Sequence, residues 1–128
     1  MSAWIVADLG FGDSGKGTIT DFLVRELGAR TVVRWNGGAQ AGHTVVTGDG
    51  RAHTFSQFGA GTFVPGVRTH LAEPVVVHPT ALLVEARYLE RSGVGDALAR
   101  LTIAESARLI TPFHQSANRA RESARGAA

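Results

Sequence analysis

The sequence predicts an α/β fold, a sheet flanked by helices, and three observations predict it. The apolar run Trp4-Ile5-Val6-Ala7 leads into a glycine-rich turn, Leu9 to Thr18, and a helical apolar pattern from Ile19 to Val24 follows. A second apolar run, Thr31-Val32-Val33, leads into a second glycine-rich polar loop, Arg34 to Thr44. Val75-Val76-Val77, followed by a helical pattern after Pro79, repeats the alternation.

The first loop carries the chemistry most openly. Four glycines, Gly10, Gly12, Gly15 and Gly17, let the backbone adopt dihedrals that side chains forbid, so that successive N–H groups can face an anion. Lys16 adds a cation, and the helix that begins beside it adds the positive end of its dipole. Lys16 is the only lysine among thirteen basic residues, which suggests that a compact ammonium is needed there. The pattern approaches a G-x-x-x-x-G-K-[ST] phosphate loop but puts Gly17 where the magnesium-binding hydroxyl belongs, with Thr18 one place late. Asp13 stands among the glycines, where a carboxylate repels phosphate unless a metal or a proton transfer uses it. The expected architecture is therefore a P-loop-like nucleotide-binding sheet flanked by helices.

In chain order, residues 3–9 read as a first strand, nearly continuously apolar as a strand covered on both faces should be. Asp8 interrupts it, either at the strand's C-terminal mouth or as a turn cap. Residues 16–27 form a helix with Ile19, Phe22, Leu23 and Leu27 on one face and Gly28 as its stop. Thr31 to Arg34 make the next strand. Thr44 to Thr47 and Ala52 to Phe55, joined by Gly48-Asp49-Gly50-Arg51, make an inserted β-hairpin on which His53 is a surface residue. Gly59-Ala60-Gly61 and Pro65-Gly66 punctuate a loop-rich passage before Arg68 to Leu71. After a strand at residues 75–77, Pro79 opens a helix that ends at Ser92-Gly93. Residues 97–103 return in part to the sheet, and residues 104–125 look helical with a break or restart at Thr111-Pro112. No linker or repeat divides the chain, so residues 1–128 form one domain.

Composition narrows the function classes. Without cysteine there is no disulfide framework and no thiolate zinc site. No run approaches a membrane span, and the N-terminus lacks the pattern of a signal peptide, so a cytoplasmic location is expected without membrane partners. The net charge of +2 arises in residues 99–128, which hold five arginines against two glutamates. So few charges without interleaved aromatics do not make a nucleic-acid footprint. His70, His78 and His114 lack metal-ligand spacing and are expected to be structural.

Gly12-Asp13-x-Gly15-Lys16-Gly17 and Gly37-Gly38-x-x-Ala41-Gly42-His43-Thr44 resemble the two signatures of the adenylosuccinate synthetase family. Pro65-Gly66-Val67, Val75-Val76-Val77-x-Pro79-x-Ala81-Leu82 and Leu101-Thr102-Ile103-x-Glu105 resemble later stretches of it. The resemblance implies a GTP-dependent ligase that joins IMP and L-aspartate through a 6-phosphoryl intermediate, uses Mg2+, and is a homodimer when complete. It implies catalytic roles for Asp13, which takes the N1 proton of the base, and for His43, which donates to the β,γ-bridging oxygen of the leaving GDP. Phosphate contacts would fall to Gly12, Ser14, Gly15, Lys16, Gly17, Thr18, Gly42 and Thr44. Asp13, Asn36, Gly38, Ala39 and Gln40 would meet the purine nucleotide, and Asp13 and the Gly42 carbonyl would hold the metal.

The chain departs from the family pattern at Ser14, usually glutamate, at Thr18, commonly lysine, and at Ala39-Gln40, usually an Asn-Asn pair. Relatives in some phages act on a guanine nucleotide, and these changes leave that preference open. Family members are considerably longer, and Arg121-Glu122-x-x-Arg125-Gly126-Ala127 resembles a helix end that precedes a further loop of theirs. The resemblance thus implies an incomplete domain, the N-terminal portion of such an enzyme. The alternative is a non-catalytic nucleotide-binding remnant or one subunit of a split enzyme.

Overall fold

The computed structural model describes residues 2–10, 12, 14–39 and 41–126. In chain order its elements are α1 (Lys16–Leu27), β1 (Thr31–Arg34), β2 (His43–Val46), β3 (Ala52–Phe55), β4 (Arg68–Leu71), β5 (Val76–Val77), α2 (Pro79–Arg91), β6 (Leu101–Ile103), β7 (Arg108–Leu109) and α3 (Pro112–Ala124). Strands β1, β4 and β6 form a parallel sheet in that order, with Thr31 opposite Arg68 and Thr69 opposite Leu101. The inserted hairpin is β2 against β3, with His43 opposite Phe55 and Val45 opposite His53. A third, minimal pairing joins β5 and β7 in parallel.

The main core lies beneath the hairpin. Val45 and Phe55 pack with Phe58, Ala60 and Phe63 and with Leu82, Ala86 and Leu89 of α2. Residues 56–63, read from their glycines as loop, contribute some of the most deeply buried side chains of the molecule, Gln57 and Phe58 among them. Two of those glycines explain the burial. A Cβ at Gly59 would meet Val32 Cγ1 at 2.9 Å, and Gly61, at φ +96°, runs against Val24 of α1. The segment can therefore lie directly on β1 and α1. Its polar groups are satisfied inside: Gly59 N donates to Thr69 Oγ1, and Thr62 Oγ1 donates to Gly59 O.

Three expectations need correction. Residues 3–9 form no strand; Ile5 is 87% and Leu9 103% exposed. An apolar run becomes a strand only where a sheet edge pairs with its backbone, and among the described residues nothing pairs with this one. Helix α1 turns its other face inward: Gly17, Asp21 and Val24 are buried, whereas Ile19, Phe22 and Leu27 are exposed. Its contacts with β2 and with Gly61 decide the orientation, and buried Asp21 is satisfied by Arg25 at 2.9 Å. Finally, residues 104–111 are not helical; β7 lies there, and α3 begins only at Pro112, whose fixed φ suits the first helical position.

Candidate functional site

The first loop closes on Lys16. Gly12, at φ +120°, and Gly15, at φ +81°, take left-handed backbone conformations that side chains disfavour, and Gly15 caps the N-terminus of α1. Lys16 Nζ pairs with the Asp8 carboxylate and donates to Gly12 O at 3.0 Å. Asp8 also accepts from Gly10 N at 2.7 Å, so it acts as a turn cap and counter-ion. The Lys16 ammonium holds the Asp8 carboxyl well below the usual carboxylate range, helped by Ser14 and Gly10. Ser14 N donates to Gly12 O at 2.8 Å, which engages that amide within the loop. Val6, Ala7, Asp8, Leu9, Ser14, Lys16 and Ile19 surround an open hollow of about 370 Å³ together with Gly10. Asp13 and Gln40 lie outside the described residues.

The second loop comes to the same place through α1. A Cβ on Gly17 would stand 2.6 Å from His43 Cβ and 3.1 Å from His43 Cδ2. Gly17 is thus the residue that lets α1 rest on the start of β2, which is the physical reason for the missing serine or threonine. Thr18 Oγ1 then donates to Thr44 O at 3.2 Å, binding the helix's first turn to the strand. Gly42 allows a second close approach, since a Cβ there would meet Thr54 Cγ2 at 2.8 Å. Thr44 turns outward and shares a hydrogen bond with Thr54 at 2.9 Å. Between the two convergent ends, the loop bonds with itself, Ala41 N to Gly38 O, and with β5, Val76 N to Gly37 O. Asn36 is exposed, while Gly38 and Ala39 are half-buried.

His43 is the first residue of β2, and its ring stacks on Phe55 with centroids 5.7 Å apart. Burial lowers its pKa to about 4, and the nearby charges of Arg34 and His53 act in the same direction, against a backbone hydrogen bond with Phe58. At neutral pH the imidazole is uncharged and offers one N–H.

Glu85, Arg34 and His53 form a polar cluster beside His43. Buried Glu85 accepts from Ser56 N at 3.1 Å, Ser56 Oγ at 2.9 Å and Gln57 N at 2.7 Å, and lies 3.3 Å from His53 Nε2. Arg34 Nη1 donates to Ser56 O. His53, expected at the surface, is instead paired with Glu85 and stacked on Tyr88 at 4.6 Å, because α2 packs across the hairpin. The sequence signal for Glu85 is its place among Leu82, Ala86 and Leu89, a carboxylate within the buried stripe of α2. The other histidines are structural as expected. His70 Nδ1 bonds Thr102, His78 accepts from Ala81 N as the cap of α2, and His114 completes the capping box of α3.

Among the described residues, no three His, Cys, Asp or Glu side chains converge as a metal cage, and no helix is long and apolar enough to cross a membrane. Residues 5–128 match the family model described as adenylosuccinate synthetase. The chain is 40% identical over 126 residues to the adenylosuccinate synthetase of Clostridium beijerinckii, covering 98% of this chain and 29% of that protein. It is 43% identical over 122 residues to that of Nitrosospira multiformis, covering 95% and 27%. Among solved structures it resembles fully ligated adenylosuccinate synthetase from Plasmodium falciparum, with a TM-score of 0.75 and 29% identity over 89% of this chain and 25% of that one. The fold also resembles that of succinoaminodeoxyadenylate synthetase from cyanophage S-2L, with a TM-score of 0.67 and 24% identity, covering 89% and 30%. The chain spans under a third of the length of the curated relatives named here.

Proposed function

This chain belongs to the adenylosuccinate synthetase family, and from that premise we propose that it carries the phosphoryl-transfer half of a GTP-dependent ligase joining IMP to L-aspartate. The observation that carries this reading is the meeting of the two glycine-rich loops at Gly17 and His43. It brings a phosphate-type loop, a lysine, a helix N-terminus and a neutral imidazole to one edge of the molecule.

Each group has a task in the proposed reaction. Lys16 exchanges its partner Asp8 for the phosphates of GTP, which the amides at the start of α1 also hold. Asp13 takes the N1 proton of IMP as O6 attacks the γ-phosphorus, and the bond from that phosphorus to the bridging oxygen breaks. His43 gives up its hydrogen bond with the Phe58 backbone and donates its N–H to the bridging oxygen, where negative charge collects as GDP leaves. Its lowered pKa suits this role, because an uncharged imidazole donates without adding a fixed charge next to Arg34. The aspartate amine then displaces the phosphate from C6.

Asp13 and the Gly42 carbonyl are the oxygen donors that would hold a hard cation here, and Asp13 lies outside the described residues. The backbone reaches β2 through Gly42, where a side chain would strike Thr54, and the carbonyl there, with Asp13, offers two oxygen donors. A magnesium ion that keeps most of its shell from nucleotide phosphates and water needs no more from the protein. When bound, it would neutralise charge on the phosphates.

The test is binding of GTP with magnesium to this chain, followed by product absorbance with IMP and aspartate in a catalytically complete form. Lys16→Ala is expected to weaken GTP binding by about tenfold or more. His43→Ala is expected to keep binding while slowing phosphoryl transfer by about two orders of magnitude, and Asp13→Asn to abolish product. GTP binding indifferent to Lys16→Ala would remove the phosphate-loop reading.

A further inference from the structure

We propose that Glu85 is the positioning residue for His43: from α2 it clamps the end of β3, and through Phe55 it sets the ring that the second loop presents. The consequence for catalysis rests on the proposed role of His43, whereas the positioning itself rests on geometry. Glu85 does not bond His43. It binds the two residues that follow Phe55, through Ser56 N, Ser56 Oγ and Gln57 N, and it holds His53, the second residue before it.

The clamp reaches His43 by two routes that meet at Phe55. Along the side chains, His53 lies edge-on to Phe55 with centroids 4.6 Å apart, and Phe55 stacks under His43. Along the backbone, Ser56 is tied to Glu85 on one side and accepts from Arg34 on the other. Arg34 ends β1 and opens the loop that delivers His43, so the same junction fixes the loop's departure. Phe55 is fully buried and directly opposite His43 in the hairpin register, so a shift of β3 moves the surface on which the imidazole rests.

The chemistry requires a carboxylate in this position. Four donors converge on two oxygens, which an ionised carboxylate accepts together. An amide keeps one acceptor and turns two N–H groups toward donors, leaving half-buried Ser56 and buried Gln57 groups unpaired. Among the described residues, the charged and titratable groups that act on His43 are Arg34 and His53, and both belong to this cluster.

The experiment is NMR of the His43 and Phe55 rings in the 128-residue chain at neutral pH, comparing the unaltered protein with Glu85→Gln and with Glu90→Gln on the exposed side of α2. Circular dichroism confines the comparison to folded protein. In Glu85→Gln the His43 ring resonances are expected to lose the displacement imposed by the stacked Phe55 ring, and the nuclear Overhauser contacts between the two rings to fall by about half or more, as β3 shifts under the imidazole. Loss of a negative charge alone leaves the two rings in contact, so loss of those contacts reports release of the ring. Glu90→Gln is expected to change neither. Unchanged His43 resonances and unchanged contacts between His43 and Phe55 in folded Glu85→Gln would overturn the proposal. Should that variant not fold, Ser56→Ala removes one of the four donors, and a smaller loss of the same contacts supports the clamp while none overturns it. Phosphoryl transfer by His43→Ala separates the two readings: full activity there together with a shifted ring in Glu85→Gln removes His43 from catalysis and leaves the clamp standing.

Discussion

Two carboxylates contrast the hairpin body with the N-terminal arm. Glu85 is buried among four donors from three neighbouring residues, and the aromatic row His43, Phe55, His53 and Tyr88 runs beside it. Asp8 sits at the rim of an open hollow with Lys16, Ser14 and one backbone amide. The first carboxylate is committed to structure, since every exchange of partner leaves a buried group unpaired. The second can exchange partners, because the half-buried pair lies at that rim, where water or an incoming anion can reach the partly exposed Lys16. A site that binds and releases phosphates needs the second arrangement, and the group that must stay aligned, His43, is mounted on the first.

The largest test of that contrast is deletion of an apolar side chain from each region. Phe55→Ala is expected to cost about 3–5 kcal/mol, since Phe55 is fully buried and supports two histidines and Phe63. Leu9→Ala, at a fully exposed position, is expected to stay within about 0.5 kcal/mol. Urea unfolding followed by circular dichroism measures both, and equal losses would erase the distinction between body and arm.

Acid should loosen the body through His43. Its folded pKa of about 4 lies below its ordinary value of 6.5, so between these limits the unfolded chain takes up a proton that the folded chain refuses. This contribution is fully present above pH 6.5 and is lost as pH falls towards 4, by up to about 3 kcal/mol. The stability of His43→Phe should be visibly flatter over that window. An unchanged slope would mean that the ring is already exposed in the folded protein.

The junction between the regions gives a smaller effect. Gly17→Ser restores the residue type of an ordinary phosphate loop but sets a Cβ against His43, and a loss of about 1–3 kcal/mol is expected from the displaced contact. A stability equal to the unaltered protein would show that α1 can move off β2 freely. Smallest of all, Asp8→Asn should leave folding intact and tighten GTP binding by roughly threefold, since phosphate no longer competes with a carboxylate for Lys16. Weaker binding would make Asp8 part of the nucleotide site.

Local chemistry determined much of this protein from its sequence alone. The glycines of the first loop, the cap at Gly28, the turn at residues 48–51 and Pro79 and Pro112 at helix starts act through their own dihedrals, so the hairpin, the helices and the two loops were legible one residue at a time. The pairing of Lys16 with a glycine-rich turn was legible for the same reason. Tertiary structure decided which apolar runs are buried. Residues 3–9 and residues 56–63 differ in composition in the sense opposite to their burial, because burial depends on what else packs there: no sheet edge pairs with the first, whereas Gly59 and Gly61 allow the second to press against β1 and α1. The same holds for α1, whose most apolar face is exposed because Gly17 rests on His43. It holds also for Glu85, which lies 42 positions from His43 in sequence and binds the residues around Phe55 only when α2 crosses the hairpin. Contacts of that separation depend on the packing of whole elements, and no local pattern of residues encodes them.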